Sequence, residues 1–274
     1  MTPETLDLLI WLVPLMLLAG ALAGTLAGLL GVGGGIVIVP ALFHIFSYLD
    51  VNESVRMHLA VGTSLATIIP TGLLSARTHA KRGSIDRELL KTWTPAMMIG
   101  VLLGTWAATV ANFSVLTSVF ASVALLVALY MGIGSPNWRL GKSLPGRFWS
   151  QPVAASIGAV SAMMGIGGGT LGVPLMSLFG VPIHRAVGTA AGFGMTIAIP
   201  ATLGMMFGGW KNPELPAFSI GYVNWLSFLL IVPTTLLLVP VGARLAHALS
   251  QAGLRRAFAI FLGLTSLRMF SEIF

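Results

Sequence analysis

The chain has 274 residues, 56% of them hydrophobic and only 8% charged, with a net charge of +7 and a mean hydropathy of +0.92. A soluble domain carries roughly 25% charged residues, about 70 at this length, against 15 basic and 8 acidic side chains here. So few charges cannot coat a globule of this size, which excludes a soluble enzyme, a nucleic-acid binder docking through its positive charge, and a disordered tail. The absence of cysteine excludes disulfides and thiolate metal sites. What remains is an all-α polytopic membrane protein in contact with the lipid bilayer.

The chain opens with Glu4 and Asp7 and has no Lys or Arg before Arg56. A signal peptide begins with a basic stretch, so the first apolar run is expected to stay in the mature protein. Residues 8–49 hold that run (8–30) and a shorter one (36–49), split by Gly31-Val32-Gly33-Gly34-Gly35. Spans long enough to cross the bilayer follow at 57–75, 91–110 and 114–133. Residues 152–180 are again split, by Gly165-Ile166-Gly167-Gly168-Gly169, before further spans at 186–207, 220–245 and 255–273. The arms of this second split segment, about 13 and 11 residues, would reach only about 20 and 16 Å. Both split segments therefore read as re-entrant hairpins, although 8–30 is long enough to span. Lys and Arg cluster in 76–91, 134–150 and 244–256, and the positive-inside rule puts these loops in the cytoplasm. The N-terminus and C-terminus then both lie outside. Trp93, Trp138 and Trp149 are expected at the inner interface, and Trp106 and Trp210 at the outer one.

The sequence repeats itself. Gly31–Gly35 followed by Pro40 matches Gly165–Gly169 followed by Pro174, and His58-Leu-Ala-Val-Gly-Thr63 matches His184-Arg-Ala-Val-Gly-Thr189. Further on, Ile85-Asp86, Gly104, Leu116, Phe120 and Met131 match Val223-Asn224, Gly242, Leu254, Phe258 and Met269 at a constant offset of 138. The expected organisation is a first repeat (1–134), a cytoplasmic linker (135–151) and a second repeat (152–274). Each repeat is a glycine-broken hairpin plus three transmembrane helices. Three crossings is an odd number, so the second repeat is inverted, as in many secondary transporters.

These paired glycine and Ala-Val-Gly-Thr motifs resemble the TauE/SafE sulfite exporter family of membrane permeases, and the resemblance covers essentially the whole chain. It implies a permease of the bacterial plasma (inner) membrane for small sulfur-containing anions such as sulfite, sulfonates, sulfoacetate or thiosulfate.

The residues support an anion site in their own right. Neither glycine run fits a dinucleotide or Walker motif: Ile36 and Thr170 follow the runs and no Lys-Ser/Thr is present. Close helix packing competes as an explanation for any one glycine. As a unit, an unwound stretch exposes amides that lipid cannot satisfy, and the half-helices starting near Ile36 and Thr170 turn positive ends to the break. Gly33, Gly34, Gly35, Ile36, Gly167, Gly168, Gly169 and Thr170 are the candidate substrate site. Thr63, Ser64 and Thr189 are the nearest further hydroxyls, with intrahelical bonding the competing role. All eight acids fall in loops or at segment ends, which favours an anionic cargo over a cation. His44 is the one histidine expected at membrane depth and a candidate for proton coupling, with simple packing the commoner role. Arg56 and Arg185 sit where they could draw anions to the two mouths. Neither a metal site, a cofactor motif nor a catalytic constellation is legible, and a homodimer is compatible with the pattern. The function expected is secondary transport by alternating access; an anion channel with a fixed constriction, or a carrier of small carboxylates, are the alternatives.

Overall fold

A computed structural model describes residues 3–30, 33–134, 138–141, 143–245 and 251–273; Gly31 and Val32 of the first glycine motif lie outside the described residues. Ten helices are present among the described residues. The first half contains α1 (Pro3–Leu30), α2 (Gly35–Tyr48), α3 (Glu53–Lys81), α4 (Arg87–Val110) and α5 (Phe113–Ile133). The second contains α6 (Arg147–Met164), α7 (Gly169–Leu178), α8 (Ile183–Gly208), α9 (Trp225–Leu245) and α10 (Gln251–Phe270). A two-residue antiparallel pair, β1 (Ser219–Ile220) and β2 (Val223–Asn224), precedes α9. The sequence expectation ran the span from 220; Gly221, with φ +55, instead reverses the chain there. Among the described residues, five helices are long and apolar enough to cross a bilayer. The protein is an integral, all-α polytopic membrane protein.

Four helices begin on an Asn or Asp whose side chain accepts a first-turn amide: Asn52 from Ser54, Asp86 from Leu89, Asn112 from Val115 and Asn224 from Ser227. Such caps satisfy amides that the helix itself leaves open, and they place the starts of α3, α4, α5 and α9. The arm α6 is 18 residues long, not about 13, because the helix begins at Arg147, ahead of the apolar run. At 1.5 Å per residue it reaches about 27 Å.

The antiparallel pair α3 and α8 forms the centre. Gly72 lies against Met195, and Gly62, near the start of α3, against Met205, near the end of α8. Around this pair, α1 packs on α9, α6 on α4, and α5 on α10. Close approach at these seams depends on missing side chains. A methyl on Gly24 or Gly242 would overlap the backbone of Thr235 or Thr25, and one on Gly158 or Gly104 would overlap Met97 or Ala159. Large apolar side chains such as Leu102, Leu126, Leu229 and Leu264 point outward, where lipid is their natural surrounding. Trp106, Trp138, Trp149 and Trp210 are also exposed. Trp93 is not an interface anchor: it is 1% exposed and stacks on Phe193, ring centroids 5.7 Å apart.

The two ends of the bundle are defined by contacts between loops. At one end the start of α3 meets the 209–224 connection: the Asn52 amide bonds Glu214, and the His58 ring lies 4.7 Å from that of Tyr222. At the other end Arg185 pairs with Asp86 at 3.3 Å, and Leu140 N–H bonds the Leu178 carbonyl at 2.8 Å.

Candidate functional site

Both glycine turns come to the middle of the α3/α8 pair. Gly33 and Gly34 have φ of +76° and +77°, and Gly165 has φ of +67°, a left-handed backbone that glycine adopts without strain. The turns touch one another. A methyl on Gly33 would sit 3.9 Å from the Gly167 Cα, and one on Gly35 would press on the Gly165 carbonyl. Gly168 packs on Phe193 and Ile197 of α8, so the Trp93–Phe193 stack backs the start of α7. The turns that lead into α2 and α7 are thus in contact, and the first amides of each helix lack a helical acceptor.

A cleft opens beside this junction. Its hairpin wall is Gly33 with Gly167, Gly168 and Gly169; α3 contributes Ile68, Gly72 and Ser75, and α8 contributes Ala190, Ala191 and Gly194. It is narrow, with room for only about one water-sized molecule in this conformation, is partly open to the outside, and its walls are almost entirely apolar. The residues from α3 lie in that helix's second half and those from α8 in its first half. The cleft therefore lies toward the end of the bundle where Arg185 and Asp86 sit.

The candidate residues are distributed around this cleft. Gly33 and Gly167–Gly169 line it. Gly34, Gly35 and Ile36 are buried behind the turn. Thr170 is 2% exposed and its hydroxyl has no hydrogen-bond partner among the described residues. Ser64 donates to the Gly165 carbonyl at 2.7 Å and thereby ties α3 to the second turn. Thr63 and Thr189 lie outside the cleft lining. The Thr63 hydroxyl accepts from the Asn224 amide and that of Thr189 from the Asp86 amide, each at 2.9 Å. These two threonines join a central helix to the start of α9 or α4. His44 comes within electrostatic range of Arg268 and Glu272 at the end of α10, away from the cleft lining. Arg56 is held by the Val51 carbonyl and lies over the Phe43 ring, and Arg185 is held by Asp86. Ser75 was not anticipated from the sequence. A serine just past an apolar run reads as a boundary residue, although its spacing from Ile68 and Gly72 puts all three on one helical face. No cluster of three metal-capable side chains occurs among the described residues.

A bundle of apolar helices with a cleft at its centre, bordered by broken helices, defines a membrane transporter class. Comparison with known proteins gives the family. The profile described as "Sulfite exporter TauE/SafE" matches residues 16–269, and the chain belongs to that family. It is 35% identical to a "Probable membrane transporter protein" of Haemophilus influenzae, over 93% of this chain and 97% of the relative. It is 26% identical to "Probable membrane transporter protein MJ0441" of Methanocaldococcus jannaschii, over 94% and 95% of the two chains. "Probable membrane transporter protein YunE" of Bacillus subtilis matches at 27% identity over 80% of this chain and 83% of its own. No solved structure matches.

Proposed function

We propose that the protein is a secondary transporter of the bacterial plasma membrane that moves small sulfur-containing anions, such as sulfite or short sulfonates, through the cleft at the glycine turns. The observation that carries this reading is the meeting of the two turns halfway along α3 and α8, beside a cleft formed largely by small residues. The start of α7 lines the cleft and that of α2 lies just behind the Gly33 turn, so two positive dipole ends come close to it, a favourable place for an anion. Ser75 adds a hydroxyl. Unwound backbone in a membrane belongs where it lines such a cavity.

Residues 1–134 and 152–274 are read as inverted repeats on either side of a linker. The matched contacts support this. The Gly24–Thr235 and Gly242–Thr25 contacts of α1 with α9 recur as Gly158–Met97 and Gly104–Ala159 in α6 with α4. The pair of Gly62 with the Tyr222 carbonyl recurs as Gly188 with the Ser84 carbonyl. The Thr63–Asn224 bond recurs as Thr189–Asp86. Each pair is what the sequence alignment of the two halves would exchange. Twelve of the fifteen basic residues, against two of the eight acids, fall on the segments assigned to the cytoplasm, so the cleft opens inward in this conformation.

The test is counterflow in proteoliposomes. A carrier loaded with unlabelled sulfite accelerates influx of labelled sulfite, whereas a channel with a fixed constriction does not. Gly194→Leu supplies the site control. A methyl at Gly194 meets only Ile68 at 3.9 Å, so a larger side chain occupies the cleft without forcing the backbone. Gly194→Leu is expected to insert normally and abolish counterflow. Undiminished counterflow in that variant would place the pathway elsewhere.

A further inference from the structure

We infer that the cleft selects by charge and admits monoanions while rejecting dianions, so that among sulfur oxyanions it takes bisulfite and organic sulfonates in preference to sulfite dianion and sulfate. This rests on the reading of the cleft as the transport site. The lining residues include no Lys, Arg or His and no Asp or Glu. The positive potential therefore comes from the backbone. A helix start is equivalent to roughly half an elementary charge, so α7, which lines the cleft, and α2, which begins just behind it, together supply at most about one.

A second observation marks the same place as a ligand site. Ser75 lines the cleft, is 7% exposed, and makes no hydrogen bond to another protein group among the described residues. Four other hydroxyls along α3 differ: Ser64, Thr67, Thr71 and Thr78 each donate to a backbone carbonyl at 2.7–2.9 Å. Ser75 thus offers an uncommitted donor to whatever enters, one hydrogen bond with no added charge.

One negative charge is matched by this arrangement. A second is not, and an uncompensated charge in a narrow apolar cleft loses hydration without gaining a counter-charge. The penalty makes a preference of at least about 100-fold for the monoanion reasonable at a low effective dielectric. It also accounts for release: with no full charge on the protein, a bound monoanion is held by dipoles alone. Bisulfite and sulfite interconvert near neutrality by loss of one proton, so the rule predicts that apparent sulfite affinity tracks the bisulfite fraction.

The experiment measures counterflow and thermal stabilisation of the full-length protein with methanesulfonate, sulfite and sulfate, from mildly acidic to mildly alkaline pH. Methanesulfonate keeps one charge throughout and sulfate keeps two. Methanesulfonate also reports any titration of the protein itself, for instance by His79, which lies one helical turn beyond Ser75 and contacts the Ser84 hydroxyl at 3.3 Å. The expected result is constant methanesulfonate binding, sulfite binding that weakens as pH rises, and sulfate binding at least about 100-fold weaker. Ser75→Lys adds the missing charge and should bring sulfate to parity with methanesulfonate. Ser75→Ala should weaken both while leaving their ratio unchanged. Sulfate binding as well as methanesulfonate in the unmodified protein overturns the charge rule and leaves the transport site standing. If none of the three anions binds or is moved, the transport-site reading itself fails, and this inference with it. The unmodified protein decides the matter even if neither Ser75 variant folds.

Discussion

The two halves of the α3/α8 seam differ sharply although their sequences align. Continuing the Ala-Val-Gly-Thr match, Ser64, Leu65 and Ile68 of α3 fall opposite Ala190, Ala191 and Gly194 of α8. In the half toward the start of α3, Ser64 and Leu65 are fully buried, and Ser64 is bonded to the second glycine turn. In the other half, the small residues Ala190, Ala191 and Gly194 leave the cleft. The backbone plan is shared; the side-chain bulk is not. A seam built from two equal halves would have no reason to favour either side. Here the larger residues close one side and the smaller ones open the other.

The largest effect is expected from exchanging that bulk. Leu65→Ala removes a fully buried side chain, a change that costs about 2–5 kcal/mol in a packed core. Combined with Ala191→Leu it transfers the filling from one half to the other. The natural chain lacks cysteine, so single cysteines report access without background. Gly72→Cys in the cleft should react with a small membrane-impermeant thiol reagent from one face only, and its aligned position, Ala198→Cys, should be protected. In the double exchange this pattern reverses. Unchanged labelling would mean that bulk at these positions does not decide which side is open.

Next in size are the threonine joints. Thr63→Val or Thr189→Val leaves the backbone amide of Asn224 or Asp86 without its partner, a loss of about 1–3 kcal/mol if the site stays dry. Both variants should melt at lower temperature, by similar amounts, with substrate KM unchanged. A raised KM with unaltered melting would instead make either threonine a substrate contact. Ser64→Ala leaves the buried Gly165 carbonyl without its donor and is expected to cost a similar amount. Its signature is increased labelling of Ala198→Cys, since the bond holds the filled half together.

Much of this architecture is legible in the residues because its signals are local. Gly31–Gly35 and Gly165–Gly169 interrupt apolar runs, and an interruption of that kind is visible without any knowledge of neighbours. The all-α membrane class follows from composition alone. The roles of the hydroxyls are different in kind. Nothing near Thr63 in sequence announces that its partner is the amide of Asn224, 161 positions away, and Ser64 reaches Gly165 over 101. Ser75 is hidden for the opposite reason. Its distinction is having no hydrogen-bond partner among the described residues while Thr71 and Thr78 on the same helix have one, and only three-dimensional structure displays that contrast. Trp93 follows the same logic: an aromatic at a segment end resembles an interface anchor until Phe193 is brought against it.

The smallest expected effect separates the two threonine joints from each other. Asp86 and Asn224 occupy aligned positions, and each caps the helix that follows. Only Asp86 carries a charge, and only it meets an arginine: Arg185 aligns with Leu59 in the other half. The Asp86–Arg185 pair is open to solvent, with the side chains 23% and 58% exposed, so it contributes no more than about 1 kcal/mol. Asp86→Asn keeps the cap, since an amide oxygen can accept the Leu89 N–H as Asn224 accepts that of Ser227. It removes the ion pair and the favourable charge at the start of α4, itself worth about 0.3–1 kcal/mol at low salt. The variant should therefore melt slightly lower than the natural protein in dilute buffer, and the two should converge in concentrated salt, which screens exposed charges. A large, salt-independent drop would show that the Asp86 carboxylate acts chiefly through its cap on the Leu89 amide and not through its longer-range charge, because the backbone bond to Thr189 is untouched by this substitution.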